Sequence, residues 1–187
     1  MDIMSWNWAL VILGVIVVIN VINGFNMGFV RELINCISLL VLSIFVVLLG
    51  SVLKSYSEKA FIQMIMFIIM VLILAIAHKL LNKILEGIDA IASLPVVSIV
   101  NKLAGAVFGV LETVVAVWFI LCLIGLFDLG QVGEYIYMYI GNDALLTYLY
   151  QNNLIATLGE IIRGPEFQMK AMEIIMEQSK EIVGSIL

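Results

Sequence analysis

The chain has almost none of the residues from which active centres are usually built. Its 187 residues include one histidine, His78, and two cysteines, Cys36 and Cys122. A single histidine leaves no Ser-His-Asp or Cys-His arrangement to assemble. Two isolated cysteines give no zinc-ligand spacing, and each is read as a small hydrophobe inside an apolar run. No P-loop and no dinucleotide-binding glycine fingerprint is present. Prolines number two, so little interrupts a long helix. Charge is scarce too, at 12% of residues with a net charge of −5, against about 25% in an ordinary soluble domain. An acidic balance with nine Lys and Arg argues against nucleic acid as a partner, because phosphate binding needs clustered cations. No enzyme activity, cofactor or metal is expected.

What the chain has in excess is hydrocarbon. Hydrophobic residues make up 64% of it, and the mean hydropathy is +1.19. They come in nearly uncharged blocks at 8–22, 29–53, 60–77 and 96–127. A helix crosses a bilayer in roughly 20 such residues. A soluble helix would show a polar face, and these blocks mostly show none. The expected fold class is therefore all-α: an integral membrane bundle of four transmembrane helices with the lipid bilayer as its surroundings. The amino terminus has Asp2 and no Lys or Arg before its apolar run, unlike a cleaved signal peptide. It reads as a retained first span, with Trp6 and Trp8 at an interface.

Residues 23–28 form a short link, and residues 54–59 form the second. The segment 80–92 alternates Leu81, Ile84, Leu85, Ile88 and Ile91 with Asn82, Lys83, Glu86 and Asp89. This pattern predicts an amphipathic helix, lying on the membrane surface or extending the third span. Leu94-Pro95 is expected to end it. The chain divides into a four-span domain, 1–128, and an acidic amphipathic helical tail, 129–187. In the tail, Tyr135, Tyr137, Tyr139, Tyr148 and Tyr150 suit an interface or a small packed unit. Asn142-Asp143 is placed to cap a helix from Ala144, and Gly164-Pro165 to open the last one. That last helix carries Glu166, Lys170, Glu173, Glu177, Lys180 and Glu181 on one side and Met172, Ile175, Ile182 and Ile186 on the other. Lipid-surface helices are usually basic, so packing against protein is favoured. Arg31, Lys79, Lys83 and Lys102 outnumber Lys54 and Lys59, which leans loops one and three toward the cytoplasm and both termini outward.

The most specific local signal occurs twice. Gly24-Phe25-Asn26-Met27-Gly28 precedes the second span and is followed by Arg31-Glu32. Gly105-Ala106-Val107-Phe108-Gly109 lies early in the fourth and is followed by Glu112. Glycines four apart share a helix face and let another backbone come close. The matching positions predict two helix-pair repeats packed through these small-residue faces. Ionisable and amide groups inside the apolar blocks are functional candidates, because hydrocarbon penalises them. They are Arg31, Glu32, Glu112, Asn20, Asn23 and Asn35. Arg31 and Glu112 either lie near the interface, with Arg31 reaching to headgroups, or pair across the repeat contact as a polar patch. The asparagines are expected to hydrogen-bond between helices. His78 reads as interfacial.

The stretch from Asn23 through Gly28 to Arg31-Glu32-Leu33, with Leu94-Pro95 and Asn101-Lys102-Leu103-Ala104-Gly105 through Gly109-Val110-Leu111, resembles the two signatures of the colicin V production (CvpA) family. The resemblance covers roughly residues 6–127. It implies a non-enzymatic protein of the bacterial inner membrane, involved in toxin production or export or in envelope maintenance. Such a protein would work by helix-mediated assembly with itself or another membrane protein. The alternative is a small channel or transporter whose pathway runs between the two repeats, lined by Asn20, Asn23, Asn35 and Glu112.

Overall fold

A computed structural model describes residues 8–89 and 99–186. Trp6, residues 90–92 of the amphipathic segment and the Leu94-Pro95 stop lie outside the described residues. So do the side chains of residues 85–89 and of the last helix from residue 179 onward. Among the described residues the regular structure is all helix, with no strand. Four helices are long and apolar enough to cross a membrane: α1 (Trp8–Met27), α2 (Phe29–Lys54), α3 (Ala60–Asp89) and α4 (Ile99–Leu126). The protein is thus a multi-pass membrane protein, and each span satisfies its backbone bonds internally, as hydrocarbon requires. The amphipathic segment is an extension of the third span, since α3 runs unbroken to Asp89.

One boundary differs from the sequence reading. α1 continues through residues 23–27, the stretch taken as a link, and the reversal is compressed into Gly28. Gly28 has φ 85° and ψ 168°, a backbone region essentially restricted to glycine. The amide of Gly28 still donates to the Gly24 carbonyl at 2.9 Å, and that of Glu32 to the Gly28 carbonyl at 3.1 Å. The backbone therefore reverses with its polar groups on both sides of the turn still paired.

α4 is the hub. α1 and α2 both pack along it, α3 packs chiefly on α2, and α1 and α2 touch each other little. Gly24 meets Gly105 while Asn20 meets Gly109, so α1 runs antiparallel to α4. Phe29 stacks edge-on against Phe108 at 5.2 Å, and Gly50 lies against Leu126 and Phe127, so α2 runs parallel to it. The helix pairs adjacent in sequence therefore interlock in space, with each GxxxG face turned to the other. The outer faces keep Ile12, Val15 and Ile19 of α1, Val41 and Phe45 of α2, and Phe61, Leu72 and Ile76 of α3 exposed, as lipid contact demands.

The tail folds into α5 (Gln131–Gly141), α6 (Ala144–Gln151), α7 (Leu154–Arg163) and α8 (Pro165–Ile186). Asp143 caps α6 by accepting from the Leu146 amide at 2.9 Å, and Pro165 opens α8, both as the sequence predicts. Leu129, Ile140, Leu146, Leu149 and Ile155 join the same core as Val47, Phe119 and Leu123 of the bundle. Tyr137 donates to the Ile124 carbonyl at 3.2 Å and meets Tyr150 edge-on at 6.2 Å. Burial, with Tyr150 alongside, pushes the Tyr137 hydroxyl above its ordinary titration range.

Asn153 fastens α7 to the bundle. It is buried, accepts from the Ala156 amide at 3.1 Å as the helix cap, and donates to the Trp118 carbonyl of α4 at 2.8 Å. Asn153→Ala removes a cap and an interhelical bond, each worth about 1 kcal/mol. The expected result is amide hydrogen exchange about 30-fold faster across α7, with α1 and α2 unchanged. Uniform acceleration, or none, would contradict this docking.

Candidate functional site

Two sets of groups meet where α1, α2 and α4 converge near Gly28. The first is the glycine crossing. A methyl group at Gly24 or Gly105 would strike the backbone of the other, and one at Gly109 would strike the backbone at Asn20. The four motif glycines therefore serve contacts within the chain: Gly24, Gly105 and Gly109 permit backbone approach, and Gly28 permits the turn. Around them sit polar clasps. Asn20 donates to the Thr113 hydroxyl at 2.9 Å, and Thr113 donates back to the Gly109 carbonyl at 3.1 Å. Gly28 offers no side chain to cap α2, and Asn101 of α4 replaces it, accepting from the Phe29 amide at 3.0 Å. Lys102 lies over the Phe25 ring, 5.5 Å from its centre.

The second set is a buried polar cluster. Glu32 is 1% exposed and Asn35 is 4% exposed. The Glu32 carboxyl sits beneath Gly24, where an added methyl would lie 3.3 Å from its carboxyl carbon. Glycine at that position thus makes room for the carboxyl as well as for Gly105. Glu32 and Glu112 are within hydrogen-bond reach of each other, and Asn35 reaches Glu32. The Asn35 amide also donates to the Met27 sulfur at 3.6 Å. On the far side, Glu112 meets His78 Nε2 at 3.1 Å, and Asn82 approaches the same nitrogen at 3.2 Å through its amide nitrogen. Turning the Asn82 amide over places its otherwise unpartnered oxygen opposite Nε2. His78 Nε2–H then donates to both Glu112 and Asn82.

The sequence candidates divide accordingly. Asn20, Glu32, Asn35 and Glu112 point into the bundle, whereas Asn23 is exposed. Of the two sequence readings for Arg31 and Glu112, the pair is not formed. The charge of Arg31 acts on its neighbour Glu32, and the groups acting on Glu112 are His78 and Glu32. Sequence spacing sets Arg31 and Glu112 on facing helices but not at the same rotation about them. His78, read as interfacial, is turned inward, its side chain 17% exposed. Its spacing of four from Asn82 was the available signal, placing both on one face of α3. Asn101 and Thr113 were missed as partners because a lone polar residue in an apolar run does not reveal which helix it faces. Cys36 and Cys122 are free, half-buried thiols.

No curated protein and no solved structure matches the chain. A family model described as colicin V production protein matches residues 10–152. The match takes in all four spanning helices and continues through α6, beyond the point near residue 127 where the motif resemblance stopped. With the glycine faces, the spans and the first two tail helices, α5 and α6, inside the matched region, the chain belongs to the colicin V production protein family.

Proposed function

We propose that this chain is a non-enzymatic component of the bacterial inner membrane, serving colicin V-like toxin production or export, or envelope maintenance. It acts by helix-mediated assembly with itself or a second membrane protein. Family membership supports the role in toxin production. The observation that carries the mechanism is α8. Its apolar residues Met172 and Ile175 are exposed, on the side turned away from the charged stripe of Glu166, Lys170, Glu173 and Glu177. Among the described residues α8 packs chiefly against α7. The glycine faces are consumed inside the protomer, which supports α8 as the surface used for assembly. In native membranes, with Cys36 and Cys122 replaced by Ser, Met172→Cys and Ile175→Cys are expected to crosslink to a discrete partner or second copy. Glu173→Cys is not. Equal crosslinking from both faces, or none from either, contradicts the reading.

A second reading, a small channel or transporter, is favoured by the inward-facing Glu32, Glu112 and Asn20. Solute flux in proteoliposomes that Glu112→Gln alters would select it over assembly.

A further inference from the structure

We propose that Glu32 and Glu112 form a proton-binding site inside the bundle, holding one proton between the two carboxyls. Loading and unloading that proton sets how tightly α2 and α4 hold together. The inference is independent of which function above the chain performs.

The argument is first one of stoichiometry. A carboxylate oxygen only accepts hydrogen bonds. Two carboxyls within hydrogen-bond reach can bond to each other only when one carries a proton. With the proton in place the pair has one negative charge, and His78 Nε2 lies 3.1 Å from Glu112, where the tautomer protonated at Nε2 donates to it. When the proton leaves as H⁺, two like charges touch in an apolar surrounding, the arrangement that makes paired carboxyls share a proton elsewhere. Among the described residues, these groups face the pair. α1 presents Gly24, which has no side chain. α2 presents Arg31, Asn35 and Cys36, and α3 presents His78.

The second observation is independent of the pair. Glu32 Oε1 and Asn35 Oδ1 have no hydrogen-bond partner among the described residues, although both side chains are more than nine-tenths buried. Both are acceptors, so the site is short of a donor hydrogen. A metal ion fits the chemistry less well, since among the described residues no three His, Cys, Asp or Glu side chains converge on one point. Because α2 and α4 run parallel and meet at this pair, repulsion after proton loss acts directly on their packing.

The test uses the full chain in lipid nanodiscs and reads the infrared C=O stretch of a neutral carboxyl. At pH 7, where exposed carboxyls are ionised (about 4.3 for Glu), one such group per chain is expected. It should vanish in Glu32→Gln and equally in Glu112→Gln, and persist in Glu173→Gln on exposed α8. As pH rises and the band is lost, the protection of amides near residues 29–36 and 105–113, taken relative to the intrinsic exchange rate at each pH, should fall in the wild type but not in Glu112→Gln. Absence of the band in the wild type overturns the proposal without reliance on any variant. A band that survives both Gln variants overturns it as well. A band that responds at fixed pH to replacing choline with sodium assigns the site to a metal cation instead, and also overturns it.

Discussion

Gly105→Leu is expected to destroy the packing of α1 on α4. The first carbon of the new side chain would meet the Gly24 carbonyl and the backbone of Gly28. A flexible side chain could move aside, but a helix backbone has no rotamer to change. Overpacking a core typically costs about 1–3 kcal/mol. Here the whole of α1 must retreat, taking the Asn20–Thr113 clasp with it, so about 3 kcal/mol is the expected loss. The control is Gly14→Leu on the same helix α1, where nothing lies within 4 Å of an added carbon. That change should be neutral or gain up to about 1 kcal/mol from helix propensity. Reversible unfolding in mixed micelles measures both. Equal stability of the two variants would refute the glycine crossing. Loss of oligomer without loss of protomer stability would instead mean that these glycines face another chain.

The second large effect is expected from Glu112→Leu. The substitution leaves the buried Glu32 carboxyl and the His78 imidazole without the group they share. An orphaned buried polar group costs about 1–3 kcal/mol, so two give an expected loss of about 3 kcal/mol. Glu112→Gln keeps an oxygen for His78 and supplies an amide donor toward Glu32, and should cost less than about 1 kcal/mol. Adding His78→Leu to Glu112→Leu should cost less than the sum of the two, with a coupling of about 1 kcal/mol. Strict additivity would mean that the two side chains do not act together.

The spans and the site were legible to different degrees. The four long helices follow from hydropathy alone, because hydrocarbon admits an isolated segment only as a long, nearly uncharged helix. Both helix starts read in the tail, at Asp143 and Pro165, appear for a local reason: cap and first-turn chemistry depends on residues within three or four positions. The glycine spacing announced a close helix contact, and Gly24 and Gly105 make one. That they meet each other could not be read, since spacing gives a face but not the face opposite. Span one was read too short because Asn23, Asn26 and Gly28 look like a loop when counted by polarity. In the structure only Gly28 departs from helix.

The inward turn of His78, the meeting of Glu32 with Glu112, and the grip of Asn153 on Trp118 all belong to the tertiary structure. In a soluble bundle the polar side of each helix fixes its rotation. Here lipid-facing and protein-facing residues are equally apolar, Ile12 and Ile19 outside and Val47 and Leu123 within, so hydropathy carries no rotational phase. Amino-acid order by itself determined that the chain enters the membrane four times as helices and that two of them can approach to backbone contact. Which faces meet, and hence which buried carboxyls and amides share a site, was decided only by packing, because steric fit between backbones and the pairing of polar groups is the information that apolar composition leaves out.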